Sequence, residues 1–122
     1  MADYKAMYQA KLRTAEQVAE QMESGWVIGS DSAVSEPVGL IEAFAKRAAS
    51  GAVTDVKVHT MLDANPMPFY VDDSLFGKMT GISWFSSGGA RKAINGGYAD
   101  LIPAYYRDMP GIRASEIGRA HV

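Results

Sequence analysis

A strand–helix–strand pattern in residues 26–62 restricts the possible folds of this sequence more than any other feature. The short apolar run WVIGS, residues 26–30, predicts a buried strand, and the alternating run DVKVHTML, residues 55–62, predicts a second strand. Pro37 lies between them and suits the first turn of a helix, where its missing amide hydrogen is not needed. Two strands joined by one helix in this way are almost always parallel and right-handed. We therefore predict an α/β fold with a mainly parallel sheet and flanking helices.

The helix after Pro37 has one apolar face, which should pack on the sheet, and a charged face, which should stay in solvent. We predict that it ends near Gly51. Its buried face should consist of Val38, Ile41, Phe44, Ala45 and Ala48.

Two more helices are predicted before the first strand. Thr14 and Gln17 fit a capping box, in which each side chain bonds the other residue's backbone amide, so a helix should cover about residues 15–23. Gly25 should end it, because glycine tolerates the left-handed conformation of a helix cap. This helix should bury Val18, Ala19 and Met22. A shorter helix before it should rest on an apolar surface through Tyr4, Met7, Tyr8 and Leu12.

The second half of the sequence should extend the sheet. Residues 63–81 have no regular period and predict a long excursion from the sheet. We predict a strand at ISWFS, residues 82–86, a short helix at SGGARKAIN, residues 87–95, and a further strand in ADLIPAYY that ends near Pro103. The sheet should therefore have at least three or four strands.

Composition limits the classes of function to be considered. The 122 residues, with a mass of 13.1 kDa, fit one modest domain. The net charge is −2 and the basic residues are scattered, so we expect neither nucleic acid nor a membrane as partner. The absence of cysteine excludes disulfides, thiolate metal sites and cysteine nucleophiles, and it agrees with the cytoplasmic location that we expect.

Residues 29–36, here called the first loop, are a candidate binding site. In open parallel sheets, ligands gather at the carboxyl ends of the strands, where loops meet helix N-termini. Gly29 permits close backbone approach, and the hydroxyls of Ser32 and Ser35 could hold a carboxylate or carbonyl oxygen. The alternative is that Ser35 only caps the helix. The loop lacks the glycine spacings of dinucleotide-binding and triphosphate-binding loops.

Residues 84–89, here called the second loop, repeat this chemistry before a helix that carries Arg91. For this loop we favour the simpler interpretation, in which a serine caps the helix and the basic residues are exposed. His59 is alone in its strand and is interpreted as structural. Three aspartates without a second group of metal ligands are interpreted as turn formers: Asp63, Asp72 and Asp73.

Several tracts together resemble the acetyl-CoA hydrolase/transferase family. They are DYKAMYQAKLRTAEQ, GWVIGSDSAVSEPVGLIEAFAKR, DVKVHTML and WFSSGGARKAINGGYADLIPAYYRDMP, in this order and over residues 3–113. The family includes four-carbon acid CoA-transferases, such as 4-hydroxybutyrate and butyryl-CoA:acetate CoA-transferases. The resemblance implies two related α/β domains of the CoA-transferase fold, similar to the sugar-phosphate isomerase sheet. Residues 1–113 would form a truncated first domain.

The resemblance also implies a mechanism. Members exchange CoA between acids through a glutamate that attacks the acyl thioester and forms first an acyl-glutamyl anhydride and then a glutamyl-CoA thioester. That glutamate belongs to the family's second half, so this chain would be the N-terminal part of a short-chain acyl-CoA:carboxylate CoA-transferase, without the nucleophile and inactive alone. CoA esters and short-chain carboxylates would be substrates of the whole enzyme, and no cofactor would be covalently bound. The expected protein partners are the missing C-terminal domain and further copies in a homo-oligomer.

By position, the resemblance assigns two groups of substrate-binding residues and no catalytic or metal-binding residue. The first group would line the substrate end of the cleft, and the second would lie beside it. The first group is Ser32, Ala33, Val34, Ser35 and Glu36, and the second is Ser86, Ser87 and Arg91.

The end of the sequence departs from the family pattern. Residues 114–122 read ASEIGRAHV, and IGRAHV corresponds to ATC GGA AGA GCA CAC GTC, which resembles a sequencing-adapter read-through. We expect residues 114–122 to be a non-family tail of artefactual origin. A sheet truncated there would expose an edge and apolar surface, so we also expect marginal stability and aggregation.

Two other functions stay open from the sequence. An acetyl-CoA hydrolase of the same family would differ in water exclusion and acceptor geometry. A stand-alone α/β module would instead bind a small anion at the strand ends.

Overall fold

The computed structural model describes residues 3–116 of the chain. Its centre is a four-stranded parallel sheet in which the strands lie side by side in chain order. The strands are β1 (Val27–Gly29), β2 (Val56–Thr60), β3 (Met79–Ser83) and β4 (Ala99–Leu101). The predicted α/β fold, with a mainly parallel sheet and flanking helices, is confirmed.

Helices and short 3₁₀ turns connect and cover the strands. The helices are α1 (Tyr4–Lys11), α2 (Ala15–Ala19), α3 (Val38–Ala49), α4 (Pro68–Val71), α5 (Gly88–Asn95) and α6 (Met109–Glu116). The 3₁₀ turns are Ala33–Ser35, Asp73–Leu75 and Tyr106–Asp108. Over residues 3–116, no helix has the length and apolar character that crossing a membrane requires.

Helix α3 supplies much of the core. Four residues of its predicted apolar face are buried: Ile41, Phe44, Ala45 and Ala48. The predicted burial of Val38 is wrong, because it lies in the exposed first turn of the helix. Strand β1 is only half-buried and not the buried strand predicted, since it is the edge strand of the described sheet and pairs with β2 alone.

The predicted capping box of α2 is present, but the helix is shorter than expected. The Thr14 hydroxyl accepts from the Gln17 amide at 3.2 Å, and the Gln17 side chain accepts from the Thr14 amide at 3.0 Å. The helix ends at Ala19 rather than near residue 23, because the next amides bond carbonyls three residues back, as in Met22 N to Ala19 O at 3.0 Å. This tighter turn carries Met22 into the core, while Val18 is only partly buried.

Helix α1 forms where it was predicted, but its apolar face finds no cover. Among the described residues, nothing buries the four side chains that were expected to rest on a surface. Tyr4, Met7, Tyr8 and Leu12 are all exposed.

Strand β3 begins at Met79 rather than at Ile82, as the sequence predicted. Met79 pairs with Val56 and is buried, so the start of the strand belongs to the core. At the other end, Trp84 leaves the sheet after Ser83. Strand β4 ends at Leu101, two residues before the predicted end near Pro103.

The predicted excursion between β2 and β3 folds back onto the core. Helix α4 and the turn Asp73–Leu75 place Met67, Phe69, Tyr70 and Leu75 inside it. The rings of Phe69 and Tyr70 meet edge to face, with centroids 4.7 Å apart. Residues 114–116 of the predicted tail belong to α6, and residues 117–122 lie outside the described residues.

Candidate functional site

The carboxyl ends of all four strands lie at one edge of the sheet, because every strand pair is parallel. We call this edge the carboxyl edge. The first loop follows β1 there, residues 61–67 (the middle loop) follow β2, and the second loop follows β3. Binding sites of open α/β sheets occur at such an edge. The structure therefore brings both predicted groups of site residues to one edge.

The first loop holds a strained residue. Ala33 has a φ of +53°, in the left-handed region that a residue with a Cβ adopts at a cost of about 1 kcal/mol. Its amide donates to the carbonyl of Leu62 in the middle loop at 2.8 Å, which fixes the conformation. Strain of this kind is typical of sites where the backbone must present particular groups.

The serines of the first loop are not helix caps. Pro37 occupies the cap position of α3, and no side chain caps that helix. The alternative interpretation, in which Ser35 caps α3, is therefore wrong. Ser35 is exposed and Ser32 is half-buried, so both residues are accessible to a ligand. Val34, between them, is 99% exposed.

Glu36 ties the first loop to the middle loop. The residue is buried, its Oε1 accepts from the Ala64 amide at 2.9 Å, and its Oε2 accepts from Asn65 Nδ2 at 2.8 Å. Hydrogen bonds to a carboxylate are among the stronger ones in proteins. With both oxygens occupied, Glu36 positions the loop.

Asp63 is a central residue of the edge, although only a turn-forming role was predicted for it. Its Oδ2 accepts from Thr60 Oγ1 and from Ser87 Oγ, each at 3.3 Å, so it joins the end of β2 to the second loop. Its Oδ1 is buried and has no hydrogen-bond partner among the described residues. Burial raises the pKa of the Asp63 carboxyl above its ordinary value, and the nearby charge of Glu36 acts in the same direction.

The hydrogens around Asp63 can be assigned from its neighbours. Thr60 Oγ1 is 2.8 Å from the Tyr70 hydroxyl, and the threonine has one proton to give. If Thr60 donates to ionised Asp63, Tyr70 must donate to Thr60. Burial raises the pKa of Tyr70 to about 12, so its hydroxyl keeps this proton at neutral pH. The result is an ordered chain from Tyr70 through Thr60 to Asp63.

In the second loop, Ser87 caps α5, as the simpler interpretation predicted. Its hydroxyl accepts from the Ala90 amide at 3.3 Å and donates to Asp63. Arg91 is exposed, and its Nη2 donates to the carbonyl of Ser86 at 3.1 Å, so the guanidinium folds back onto its own loop. Within residues 3–116, no hydrogen bond joins the two predicted groups directly. Both are instead bonded to the middle loop.

His59 and the two remaining aspartates have the structural roles that the sequence predicted. His59 is buried, and its Nδ1 accepts from Trp84 Nε1 at 3.0 Å. Asp72 Oδ1 accepts from the Ser74 amide at 2.9 Å and so begins the turn that contains Asp73. In the part of the chain that is described, no three acidic, histidine or cysteine side chains cluster as a metal would require.

Two cavities open near the strand ends. One, of about 430 Å³, is lined by Trp84, Pro103, Ala104 and Tyr105. The other, of about 170 Å³, is lined by Met61, Tyr106, Met109, Pro110 and Arg113. Arg113 was not among the predicted site residues, since no local motif surrounds it.

Chemically, the carboxyl edge can position an oxygen-bearing ligand beside apolar surface. Among the described residues, the hydroxyls of Ser32 and Ser35 in the first loop make no hydrogen bond, whereas the unpaired Oδ1 of Asp63 is buried. Glu36 is the one buried glutamate among the residues whose burial is described, and each of its carboxylate oxygens accepts a hydrogen bond from the middle loop.

Comparison with known proteins gives a consistent result. Residues 1–119 match the model of the acetyl-CoA hydrolase/transferase N-terminal domain. A butyryl-CoA:acetate CoA-transferase from Anaerostipes caccae is 28% identical over 119 residues, which are 98% of this chain and 26% of that protein. The crystal structure of RipA from Yersinia pestis is similar with a TM-score of 0.84 and 25% identity, over 96% of this chain and 29% of RipA. A single-residue mutant of RipA gives a TM-score of 0.85, over 96% of this chain and 28% of the mutant.

The chain thus spans about a quarter of the length of the curated relative that it matches. The family match extends over almost the whole chain and includes every residue of the carboxyl edge described above. This protein belongs to the acetyl-CoA hydrolase/transferase family, and it corresponds to the N-terminal domain of that family.

Proposed function

We propose that this chain forms one wall of the active site of a short-chain acyl-CoA:carboxylate CoA-transferase that works through a glutamyl-CoA thioester. The observation that carries the proposal is the construction of the carboxyl edge. Glu36 and Asp63 bond three consecutive loops to one another there, which holds the strained first loop in place beside the strand ends. The family of the chain and the printed name of its curated relative support the reaction class.

The nucleophilic glutamate belongs, in this proposal, to a part of the whole enzyme outside these 122 residues. A carboxylate that attacks a thioester needs an oxygen lone pair directed at the carbonyl carbon. Both oxygens of Glu36 accept hydrogen bonds from the middle loop, and the residue is buried. Glu36 therefore acts as a positioning residue.

The first loop would hold the acid portion of the substrate. The hydroxyls of Ser32 and Ser35 can donate to a carboxylate or thioester oxygen, and exposed Val34 can contact a short alkyl chain. The nucleophile would attack the thioester carbonyl, CoA would leave as the thiolate, and the acyl-glutamyl anhydride would then be opened by that thiolate at the glutamyl carbonyl. This second step releases the carboxylate beside the first loop and leaves CoA on the glutamate.

A chimera tests this proposal. Residues 1–113 of this chain would replace the matching region of the Anaerostipes caccae transferase, and transfer of CoA from butyryl-CoA to labelled acetate would be measured. We expect transfer by the chimera, a lower rate when Ser32 and Ser35 are both changed to Ala, and none by the isolated chain. Exchange catalysed by the isolated chain would contradict the placement of the nucleophile. A folded chimera that binds butyryl-CoA without reacting would contradict the role of the wall.

Hydrolysis is the second candidate, because the family description covers both hydrolases and transferases. The same assay without acetate separates them. A hydrolase releases free CoA at the same rate with or without an acceptor acid, whereas a transferase consumes butyryl-CoA only when the acceptor is present and then forms acetyl-CoA rather than free CoA. We also propose a cytoplasmic location, which the absence of cysteine supports.

A further inference from the structure

Arg113 reaches from α6 back across the carboxyl edge. Its Nη2 donates to the carbonyl of Ser30 at 3.4 Å, and its guanidinium carbon lies 5.9 Å from the centre of the Trp84 ring. Ser30 follows β1 and Trp84 follows β3. One guanidinium therefore lies across the ends of three adjacent strands. Because Arg113 is far from Ser30 and Trp84 in the sequence, no local motif predicts these contacts.

This guanidinium has donors to spare. An arginine carries five N–H donors in a planar fork. Among the described residues, the bond to Ser30 is the only hydrogen bond that the Arg113 side chain makes, and it is long. Its Nε is buried without a partner, and the described part of the chain offers Arg113 no carboxylate within salt-bridge distance. The buried Nε–H has no acceptor and the half-buried guanidinium has no counter-charge among the described residues, so this position favours an anion.

The space next to Arg113 suits an anion of a particular shape. The cavity of about 170 Å³ is walled by Met61, Tyr106, Met109 and Pro110, so the guanidinium stands beside largely apolar surface. A cavity of about 150 Å³ can hold a benzene molecule, which has six heavy atoms. The cavity can therefore take a short alkyl chain but not a coenzyme A molecule.

We propose that Arg113 binds the carboxylate of a short-chain monocarboxylic acid whose alkyl chain fills this cavity. The planar guanidinium matches a carboxylate in a two-point contact, and the apolar walls match the alkyl chain. Inorganic phosphate fits less well. Among the residues that line the cavity, Arg113 is the only cation and Tyr106 carries the only side-chain hydroxyl. The proposal rests on the proposed function for its place in catalysis, where such an acid is the acceptor or the released product.

The test is binding of sodium butyrate to the 122-residue chain, followed by calorimetry and by the NMR signal of the Arg113 Nε–H group. We expect the Nε–H signal to shift on titration and the affinity to fall at least about tenfold in Arg113→Met, since a charge-assisted two-point contact is lost. Arg107→Met is the matched control, because it removes the same charge from a side chain that is 82% exposed. We expect it to bind butyrate as the unmodified chain does.

Two further ligands test the unmodified chain, so the result does not depend on the folding of a variant. Butanamide has the same shape without the charge, and octanoate is too long for the cavity. We expect both to bind at least about tenfold more weakly than butyrate. Equal binding of butanamide and butyrate, no shift of the Nε–H signal, or equal loss in both arginine variants would overturn the proposal.

Failure of the proposed carboxylate site at Arg113 can be distinguished from failure of the proposed function. Transfer by the chimera with no effect of Arg113→Met would retain the transferase and reject this carboxylate site. Butyrate binding at Arg113, combined with an inactive chimera, would retain the site and reject the transferase.

Discussion

Gly81 in the middle of β3 provides the sharpest test of how the core supports the site. A Cβ added there would lie 2.6 Å from Cδ2 of Phe69 and closer still to the ring of Tyr70. Ordinary contacts between carbon atoms are about 3.5–4.0 Å, so the rings would have to move by about 1 Å. Both side chains are buried, since Phe69 is 0% and Tyr70 5% exposed, so the rings cannot relieve the contact by a small shift into solvent.

We expect Gly81→Ala to lower the free energy of unfolding by about 2–4 kcal/mol. Overpacking of a core costs about 1–3 kcal/mol. Displacement of Tyr70 also weakens its hydrogen bond to Thr60, which contributes about 1 kcal/mol. Because Thr60 bonds Asp63, the damage should extend to the carboxyl edge.

Urea unfolding followed by far-ultraviolet circular dichroism measures the effect. Gly39→Ala is the matched control, because a Cβ at Gly39 meets no atom within 4 Å and the residue lies in α3. We expect this variant to gain about 0.5 kcal/mol, since alanine loses less backbone entropy in a helix than glycine. Equal stability of the two variants would refute the reasoning that aromatic contact makes glycine necessary at position 81.

Other side chains of the carboxyl edge give three further predictions. Glu36→Ala should lower stability by about 2 kcal/mol in the same unfolding assay, because two hydrogen bonds to a carboxylate are lost, and exposed Glu42→Ala should change it by less than about 0.5 kcal/mol. The pKa of Asp63 is raised in the folded chain, so the chain should lose stability as the pH rises from the ordinary aspartate pKa of 3.8 through the pKa of folded Asp63. Asp63→Asn should remove this loss. If the pH profile of unfolding is the same in the variant, the pKa of Asp63 is not raised. Ser87→Ala should cost about 1 kcal/mol through loss of the α5 cap, and amide exchange at Ala90 should quicken; unchanged exchange would show that the cap is not needed.

The fold could be predicted from the sequence where local patterns and packing agree. The capping box of α2, the apolar face of α3 and the strand–helix–strand order all depend on residues near one another in the chain. Boundaries were missed where tertiary contact decides them. Strand β3 begins at Met79 because Val56 pairs with it, and that pairing cannot be read from residues 79–83 alone.

The positions of the two candidate loops in the fold could be predicted, but the hydrogen bonds between loops could not. The two loops could be placed at the carboxyl edge from topology, and Ser87 could be identified as a cap from the glycines after it. The roles of Asp63 and Glu36 arise from bonds between separate loops, such as Glu36 to Asn65. A local sequence pattern cannot predict a hydrogen-bond partner that lies in a different loop. The bond from Arg113 to Ser30 joins the residues that are farthest apart in the sequence.

Amide chemical-shift mapping tests the central claim, that the carboxyl edge is the binding wall for the acyl substrate. The 122-residue chain would be titrated with butyryl-CoA, and the backbone amides would be followed one by one. We predict that the shifts concentrate in residues 29–36, 61–67 and 84–89. Shifts confined to residues 51–55 and 96–98, at the opposite edge of the sheet, would contradict the account, and so would the absence of any shift at saturating ligand.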